Sequence, residues 1–300
     1  MPGIKIAVVG HLSIDEISVG GERYVNMGGV TCYAALAARA LGAYVKVISV
    51  VGEDFPKSYL EILRRAGIDL SGVQVTAGKQ TTRFEITYLG DERTMKLLSR
   101  AGEIKLRPHY EGFDGIYLGP IAWEIDLDSI KRLTKESVKL LLDPQGLMRT
   151  IDESGFIRLR RLDLKIPGLW ILRISREEAE ILAGSSKLTK IINHLRRLRA
   201  EIMILTLGGE GALILHGSKI IKVPCYPVRV IDPTGAGDVF GGAFLTEFLQ
   251  SRDLEWAAAI GSAMASIVVE SRGFSPLLSP SIVEEARRRA KLIHESIKQL

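Results

Sequence analysis

Short apolar runs alternate along this 300-residue chain with longer segments in which apolar residues recur every three or four positions. The short runs are typical of buried strands, and the longer segments are typical of helices that cover a sheet. The pattern predicts strands at 4–9, 45–51, 115–118, 140–143, 170–174, 202–207 and 212–216. It predicts helices at 31–41, 58–66, 128–138, 176–183, 187–198, 238–250, 254–269 and 280–299. Because strands and helices alternate, we expect an α/β fold with a mostly parallel central sheet and helices on both faces.

Two segments depart from this alternation and predict β-hairpins. Residues 12–27 place a Gly-Gly turn between two short strands, and residues 79–100 place a Gly-Asp turn at 90–91 between two alternating stretches. We expect these hairpins to form a small sheet beside the main one, either as a cover over a cleft or as an ordinary extension. Since no repeat or linker divides the chain, we expect residues 1–300 to form a single domain.

Composition narrows the class of protein. Apolar residues make up 46% of the chain and charged residues 25%, which suits a large folded core and not a disordered segment. The apolar run that ends at Gly10 is too short for a signal peptide, and no run reaches the roughly 20 residues of a membrane span. Cys32 and Cys225 have no metal-ligand spacing. We therefore expect free thiols and a cytoplasmic location.

The net charge of the chain, +5, is mildly basic, and basic residues form the runs 158–162, 194–199 and 287–291. No aromatic residues are interleaved with these charges, so solvated helix faces are favoured over a nucleic-acid surface, and we expect neither nucleic acid nor membrane as a partner. Asn26 and Asn193 are the sole asparagines and glutamine is scarce. Few thermolabile amides beside abundant charges favour a heat-adapted source.

The stretch with the clearest chemistry is "IDPTGAGDVFGGAFLTEFLQ", residues 231–250. A helix N-terminus carries free N–H groups and about half a positive charge, and glycines let an anion approach that backbone. Gly235, Ala236 and Gly237 therefore make an anion hole, and Asp238 can accept the proton of an attacking hydroxyl. Together they indicate phosphoryl transfer. An ordinary capped helix, with Asp238 as the cap, remains an alternative from this stretch alone.

Two long motifs give the chain a resemblance to the ribokinase-like (PfkB) carbohydrate kinase family. "DPTGAGDVFGGAF", residues 232–244, resembles the C-terminal signature of that family, and residues 27–69 resemble its N-terminal counterpart, with Pro56 and Lys57 near a usual glycine. The resemblance covers essentially the whole chain. It implies a ribokinase-like three-layer fold in which the two hairpins form a β-sheet lid, and an ATP-dependent kinase of a small alcohol.

The resemblance also implies roles on the acceptor side. It implies that Asp238 is the catalytic base, that Asp15 binds substrate hydroxyls, and that Gly28 and Gly29 let the substrate approach the backbone. Specificity is expected at the positions that follow these glycines. Sugar kinases of the ribokinase type tend to carry Lys, Gly and Asn there, whereas this chain carries Val30, Thr31 and Tyr33. Ribose is therefore not favoured, and Thr31 is a candidate for contact with another acceptor.

On the donor side the resemblance implies a nucleotide site in two segments. "ILTLGGEGALI", residues 204–214, would place Thr206, Gly208, Gly209 and Gly211 near the phosphates or the ribose. "ISREEAEIL", residues 174–182, resembles an Asn-x-x-Glu element that helps to place Mg²⁺; Ser175 replaces the Asn and Glu178 is kept. Asp232 and Thr234 fall where many relatives hold a monovalent cation, here K⁺.

The acceptor is suggested by a third pattern. Residues 81–104 and 141–149 are similar to archaeal and plant myo-inositol kinases, in which Asp-x-Gln-x-x-x-Arg follows a central strand; here it is Asp143, Gln145 and Arg149. Residues at the carboxyl end of such a strand face the ligand crevice of an open α/β sheet. We therefore expect Gln145 and Arg149 to bind myo-inositol. A 2-keto-3-deoxygluconate kinase, another sugar kinase and a nucleoside kinase remain alternatives.

Other classes of function fit the sequence less well. A ligand-sensing protein of the same fold would not need the intact "GAGD" and Glu178, and a dehydrogenase would need GxGxxG after the first strand, where "VVGHLSID" stands. His11, in that segment, is more typical of a residue that shapes a pocket than of an acid or base. The edges of the lid hairpins favour a homodimer formed through the lid.

Overall fold

The computed structural model describes residues 3–90, 92–106, 110–136 and 138–300. Its strands are β1 (Lys5–Val9), β2 (Ser13–Val19), β3 (Glu22–Gly28), β4 (Tyr44–Gly52), β5 (Asp69–Thr76), β6 (Thr82–Leu89), β7 (Glu92–Ser99), β8 (Gly115–Leu118), β9 (Leu140–Leu142), β10 (Arg149–Ile151), β11 (Ile157–Leu159), β12 (Ile171–Ser175), β13 (Ile202–Thr206), β14 (Ala212–His216), β15 (Lys219–Val223) and β16 (Lys298–Gln299). Its helices are α1 (Val30–Ala40), α2 (Lys57–Arg65), α3 (Leu127–Leu133), α4 (Gln145–Met148), α5 (Arg176–Ala183), α6 (Leu188–Leu198), α7 (Ala236–Ser251), α8 (Leu254–Val268) and α9 (Ile282–Glu295).

The main sheet confirms the expected α/β architecture. Its strand order is β16-β15-β14-β13-β12-β9-β8-β1-β4-β5. From β5 to β13 neighbouring strands are parallel, and β14, β15 and β16 continue the sheet in antiparallel pairing. The chain starts in the middle at β1, extends the sheet through β4 and β5, and then returns to add β8 on the other side. Such a reversal opens a crevice at the carboxyl ends of the strands, where ligands bind in sheets of this type.

Helices cover both faces of the main sheet and divide the core into two layers. Residues of α1, α7, α8 and α9 pack in one buried cluster, and residues of α3, α5 and α6 pack in the other. Helix α7 is buried along most of its length because α1 and α8 flank it. Phe244 and Phe248 stack within it at 5.6 Å, and Phe248 stacks on Trp170. Truncation of a buried aromatic such as Phe244 to alanine costs about 3–5 kcal/mol.

The two hairpins predicted at 12–27 and 79–100 are present as β2–β3 and β6–β7, and together they form a separate four-stranded sheet. Its order is β3-β2-β6-β7, with the inner strands β2 and β6 parallel. Strand β3 has a free edge, whereas β7 carries one bridge, from Lys96 to Phe156. We call this sheet the lid. Position 91 of the predicted turn lies outside the described residues.

The structure also departs from the predicted elements. Strands β5 and β15 were not predicted, because β5 is only half-buried and β15 is a short hairpin partner of β14. The helix expected over 280–299 ends at Glu295, and the residues after it pair with β15 as β16. The helix expected over 128–138 is α3 followed by one 3-10 turn over Thr134–Glu136. Position 137 of that prediction lies outside the described residues.

The helices of the described part of the chain do not provide a membrane span, since none combines the necessary length with the necessary apolar character.

Candidate active site

The N-terminus of α7 is built around two glycines that the fold requires. Gly235 has φ 78°, a left-handed conformation, and a Cβ there would collide with the ring of Tyr33. A Cβ on Gly237 would collide with the guanidinium of Arg173. The backbone therefore lies directly on these two side chains. Only glycine allows that approach, so the small residues of the motif serve packing as well as anion access.

The amides at this helix start are not all equivalent. The N–H of Ala236 donates to the carbonyl oxygen of Pro233 over 3.3 Å. In the described part of the chain, the N–H groups of Gly235 and Gly237 have no such partner. An anion at this helix start would therefore be bound chiefly by the glycine amides, and Ala236 would contribute less than the sequence predicts.

Asp238 lies in the first turn of α7, half-buried at the floor of a cleft. Its Oδ1 accepts a hydrogen bond from Nε2 of Gln145 over 3.2 Å. Desolvation, assisted by the negative charge of Asp143, raises the pKa of Asp238 to about 7. The positive charges of Arg173 and Arg149 limit that rise. A carboxylate that takes up a proton near neutral pH is suited to act as a general base.

Gln145 and Arg149 are the residues predicted to bind the acceptor. Gln145 begins the short helix α4, Arg149 follows its last residue, and both are linked to Asp238. Nη2 of Arg149 donates to Oε1 of Gln145 over 2.7 Å, so the amide of Gln145 bridges Arg149 and Asp238. Nη1 of Arg149 donates to the carbonyl oxygen of Ile121, and the guanidinium lies over the ring of Phe84. Arg149 is 6% exposed, and burial lowers its pKa. These contacts hold the carboxylate of Asp238 in a network that reaches Phe84 of β6 through Gln145 and Arg149.

Asp15 lies on the lid strand β2 and is also buried. Its Oδ1 accepts a hydrogen bond from Oγ of Ser13 over 2.7 Å, and a Cβ on Gly28 would overlap its Oδ2. Burial raises the pKa of Asp15 to about 6, although Ser13 and Arg149 act in the opposite direction. A buried carboxylate with one free oxygen can accept hydrogen bonds from substrate hydroxyls.

The segment before α1 is held by hydrogen bonds within the protein. Gly29 starts the helix, and the hydroxyl of Thr31 donates to the carbonyl oxygen of His11 over 2.7 Å. The ring nitrogens of His11 lie 2.7 Å from the carbonyl oxygen of Gly102 and 2.7 Å from the hydroxyl of Thr82. Both ring nitrogens of His11 thus lie within hydrogen-bond distance of protein groups, and its part in shaping a pocket stays a prediction. The hydroxyl of Thr31 already has a structural partner, so its contact with an acceptor stays a prediction.

Ser175 and Glu178 form a reciprocal cap at the start of α5. The N–H of Ser175 donates to Oε2 of Glu178 over 2.8 Å, and the N–H of Glu178 donates to Oγ of Ser175 over 3.3 Å. Ser175 and Glu178 thus hold each other at the start of α5, and their part in placing Mg²⁺ stays a prediction. Burial and the charge of Asp143 raise the pKa of Glu178. Both residues line the cleft, where a carboxylate suits a Mg²⁺ ion that a nucleotide carries with its waters.

The cleft above Asp238 has a volume of about 920 Å³. The predicted donor residues Thr206, Gly208, Gly209 and Gly211 line one wall, beside the α7 N-terminus. The cleft is also lined by a largely apolar set of residues, namely Tyr226, Pro227, Val228, Val230, Phe240, Ala265 and Val269. The volume lies in the range of pockets that hold small organic ligands and cofactors. A cleft with glycine loops at its base and an apolar wall above can hold a phosphate chain joined to a planar base.

The lid contacts the loop that precedes α7. The hydroxyl of Tyr24 on β3 donates to Oδ2 of Asp232, which also accepts from the N–H of Gly273. Oδ1 of Asp232 accepts from the N–H of Thr234, whose hydroxyl bonds to that of Tyr88 on β6 over 3.0 Å. Oδ2 of Asp232 thus accepts two hydrogen bonds, whereas among the described residues Oδ1 accepts only one and keeps a further acceptor site. A cation can bind Oδ1 without displacing Tyr24, so the K⁺ at Asp232 and Thr234 stays a prediction.

Within the described residues, no cluster of three or more His, Cys, Asp or Glu side chains could hold a metal ion by itself. Mg²⁺ seldom occupies an all-protein cage and is usually bound by one or two carboxylates and the phosphates of the substrate. Glu178 therefore fits the indirect role predicted for it.

One charged residue at the centre of the site was missed in the sequence. Arg173 stands in the otherwise apolar strand β12, and its Nη1 donates to Oδ2 of Asp143 over 2.7 Å. Its Nη2 donates to the hydroxyl of Thr206 over 2.9 Å. A charged residue inside a run such as "WILRIS" was the available signal, because an arginine is buried in a strand only when it is paired. Asp143 was identified as part of a pattern but not as the partner of a cation.

The chain is similar to known kinases over most of its length. A family model described as "pfkB family carbohydrate kinase" matches residues 4–108 and 139–280. A cytidine kinase of Thermococcus kodakarensis is 29% identical over 280 residues, which cover 90% of this chain and 98% of that protein. A nucleoside kinase of Methanothermobacter thermautotrophicus is 28% identical over 298 residues, covering 89% of this chain and 90% of that protein.

Among solved structures, the chain resembles a pyrophosphate-dependent kinase in the ribokinase family, complexed with a pyrophosphate analogue and myo-inositol. The TM-score is 0.81, the sequence identity is 24%, and the alignment covers 93% of this chain and 99% of the other. At that identity the likeness establishes the fold. It confirms the ribokinase-like architecture that the motifs imply.

Proposed function

Because the chain belongs to the pfkB family of carbohydrate kinases, we propose that it transfers the γ-phosphoryl group of ATP to a hydroxyl group of a small polyol, with myo-inositol as the first candidate acceptor. The observation that carries the proposal is the position of Asp238. Its carboxylate lies at the start of α7, between a 920 Å³ cleft with glycine loops and the buried polar network of Gln145. Donor and acceptor would meet at this carboxylate.

The transfer needs two groups that the geometry supplies. The acceptor hydroxyl gives its proton to Asp238 as its oxygen attacks the γ-phosphorus, and the bond from that phosphorus to the ADP oxygen breaks. The amides of Gly235 and Gly237 face the negative charge that spreads over the transferred oxygens. Mg²⁺ bound near Glu178 would neutralise charge on the donor phosphates.

ATP is proposed as the donor because of the apolar wall of the cleft. Val228, Val230, Ala265 and Val269 lie beyond the glycine loop, where a base could cover them. Val230 is 56% exposed. Pyrophosphate, the donor of the structural relative, would fill only the glycine end and leave this apolar surface in water. A nucleotide donor therefore uses more of the cleft.

The acceptor is proposed to be a polyol because several polar side chains lie on the enclosed side of Asp238. The carboxylate of Asp15, the amide of Gln145 and the guanidinium of Arg149 are all anchored by other protein groups. Fixed donors and acceptors of this kind suit a compact ring with several hydroxyls. Gln145 and Arg149 also belong to the pattern that resembles myo-inositol kinases.

A nucleoside is the second candidate acceptor, on the observation that the cytidine kinase of Thermococcus kodakarensis is 29% identical across nearly its whole length. A nucleoside would present a ribose hydroxyl to Asp238, and its base would need space under the lid. Phe84, which lies against Arg149 on that side, is 3% exposed, so a base could stack on its ring only after the lid rearranges.

A donor and acceptor panel tests the proposal. The purified chain is incubated with ATP, ADP or pyrophosphate and with myo-inositol, cytidine, ribose, fructose or 2-keto-3-deoxygluconate, and phosphorylated product is detected by ³¹P NMR. We expect transfer from ATP to myo-inositol, with cytidine as the next acceptor. If a folded sample with bound nucleotide phosphorylates no acceptor with any donor, the fold is a ligand-binding protein and the proposal is wrong.

A further inference from the structure

Arg173 occupies a place that an ordinary core ion pair would not need. It lies on β12 with its guanidinium under the first turn of α7, where the backbone of Gly237 rests on it. The side chain is 8% exposed and lines the donor cleft, while its partner Asp143 is fully buried. The guanidinium of Arg173 therefore lies at the centre of the site and lines the cleft.

The hydrogen bonds of Arg173 within the described residues do not use all of its donors. A guanidinium carries five N–H groups. Nη1 donates to Asp143 and Nη2 to Thr206, and among the described residues the buried Nε has no hydrogen-bond partner. A buried arginine that lacks a full set of partners loses the free energy of hydration at those groups. An arginine that lines a cleft while part of its hydrogen-bonding capacity is unused is suited to bind an anionic ligand there.

Asp143 explains how the cation is held in place. Its Oδ2 accepts from Arg173 over 2.7 Å and from the hydroxyl of Tyr117 over 3.3 Å, and its Oδ1 accepts from the N–H of Gln145. The carboxylate thus joins the cation to the residue that bonds the base Asp238. Its charge also keeps the pKa of Arg173 above the ordinary value although burial opposes this.

We propose that Arg173 binds the phosphoryl group during transfer. Asp143 is the positioning residue: it orients the guanidinium of Arg173 toward the phosphoryl oxygens, which would lie between Gly237 and Asp238. This inference rests on the proposed kinase function. The arginine takes part in no covalent step: one P–O bond to the donor breaks, one P–O bond to the acceptor forms, and the acceptor proton moves to Asp238. The guanidinium donates hydrogen bonds to equatorial oxygens that carry most charge during that exchange.

The alternative is that Arg173 and Asp143 are a structural ion pair, and removal of both charges separates the two roles. Loss of one partner leaves an unpaired buried charge, whereas replacement of both by uncharged groups of similar size is often neutral for stability. We therefore compare Arg173→Met, Arg173→Lys and the double variant Asp143→Asn/Arg173→Met with the wild type. Each is tested with ATP and the best acceptor of the panel.

In the double variant we expect a melting temperature close to that of the wild type and a kcat lowered about 100-fold or more, the effect of losing one preorganised donor to a transition-state anion. KM for ATP and for the acceptor should change less than about threefold, because the interaction strengthens only during transfer. Arg173→Lys should keep more activity than Arg173→Met, since it retains the charge.

The pH profile provides a second readout. Arg173 lowers and Asp143 raises the pKa of Asp238. The acid limb of kcat should therefore move to higher pH in Arg173→Met and should move less in the double variant. A stable double variant with kcat within threefold of the wild type would overturn the role of Arg173 and leave the kinase function intact. A wild type that phosphorylates no acceptor would instead overturn the proposed function, and the role of Arg173 with it.

Discussion

The two sides of Asp238 differ in structure: one is an open cleft, and the other is filled by hydrogen-bonded side chains of the protein. On the donor side the cleft is about 920 Å³, with glycine loops at its base and an apolar wall beyond. On the acceptor side the hydroxyl of Ser13 holds Asp15, and Gln145 and the carbonyl oxygen of Ile121 hold Arg149. Ligand recognition on the donor side therefore depends on free backbone and surface, whereas on the acceptor side it depends on side chains that other side chains hold in place.

This difference assigns separate tasks to the two sides. A cleft of backbone amides and apolar surface recognises what all nucleotides share, namely phosphates and a planar base. An enclosed polar network discriminates between alcohols, because a substrate that lacks the right hydroxyl leaves buried polar groups unpaired. Changes on the donor side should therefore alter the KM for ATP, and changes on the acceptor side should alter turnover and the choice of acceptor.

The largest effect is expected where the two sides meet. Asp238→Asn keeps the shape of the side chain and removes the base, so kcat should fall about 1000-fold or more with the fold retained. Steady-state kinetics and thermal unfolding measure the two effects separately. Asp253→Asn, at the N-cap of α8 and distant from the cleft, is the matched control and should retain activity. Turnover of Asp238→Asn within tenfold of the wild type would remove Asp238 as the base.

The pH dependence is expected to be the next largest effect. The pKa of Asp238 is raised to about 7, so the base is ionised above that pH and kcat should fall about tenfold per unit below it. Stability should follow the opposite direction: a raised carboxyl pKa favours the folded state at low pH, and that contribution is lost as the pH rises through about 7. A kcat that stays constant from pH 5 to 8 would contradict this assignment.

A substitution confined to the acceptor side tests its polar network. Gln145→Ala removes the amide that links Asp238 to Arg149, so we expect kcat/KM for the acceptor to fall about 10- to 100-fold with little change in KM for ATP. Gln250→Ala, which removes the bond of another glutamine amide to Leu41 away from the site, is the control. Equal losses for both substrates would argue against a separate acceptor side.

A substitution confined to the donor side should have a smaller effect. Ala265 faces the cleft from α8, and Ala265→Trp would fill part of the space proposed for the base. We expect KM for ATP to rise about tenfold, with KM for the acceptor unchanged. Leu254→Trp, on the first turn of the same helix and outside the cleft, is the control. If pyrophosphate is the true donor, Ala265→Trp should leave the donor KM unaltered.

The smallest effect is expected at the contact between the lid and the loop before α7. Tyr24→Phe removes the hydroxyl that donates to Asp232, so we expect kcat to fall a fewfold, without rescue by K⁺. Tyr44→Phe, which removes a similar bond to Asp69 away from the site, is the control. Activation of the wild type by K⁺ of tenfold or more would support the cation site predicted at Asp232 and Thr234.

The sequence by itself determined the architecture and most of the site. Segments in which apolar residues recur every three or four positions predicted the helices, and short apolar runs predicted the strands. These patterns arise because a parallel sheet buries its strands completely, whereas the helices that cover it are amphipathic. Gly235, Gly237 and Asp238 could be assigned from "GAGD" because a helix N-terminus has the same chemistry in any context. Local physics of this kind depends only on neighbours in the chain.

The tertiary structure decided what depends on residues distant in sequence. The pairing of Arg173 with Asp143 and Thr206 arises because three parallel strands end side by side, a relation that no local spacing encodes. The same reason applies to β16, which is a strand only because β15 is beside it, and to Asp232, whose Oδ2 accepts from Tyr24 of the lid and from the N–H of Gly273. The order of the strands in the sheet decides which charged and hydrogen-bonding groups become partners. These pairs cannot be read from sequence spacing, because their residues become neighbours only when the chain folds.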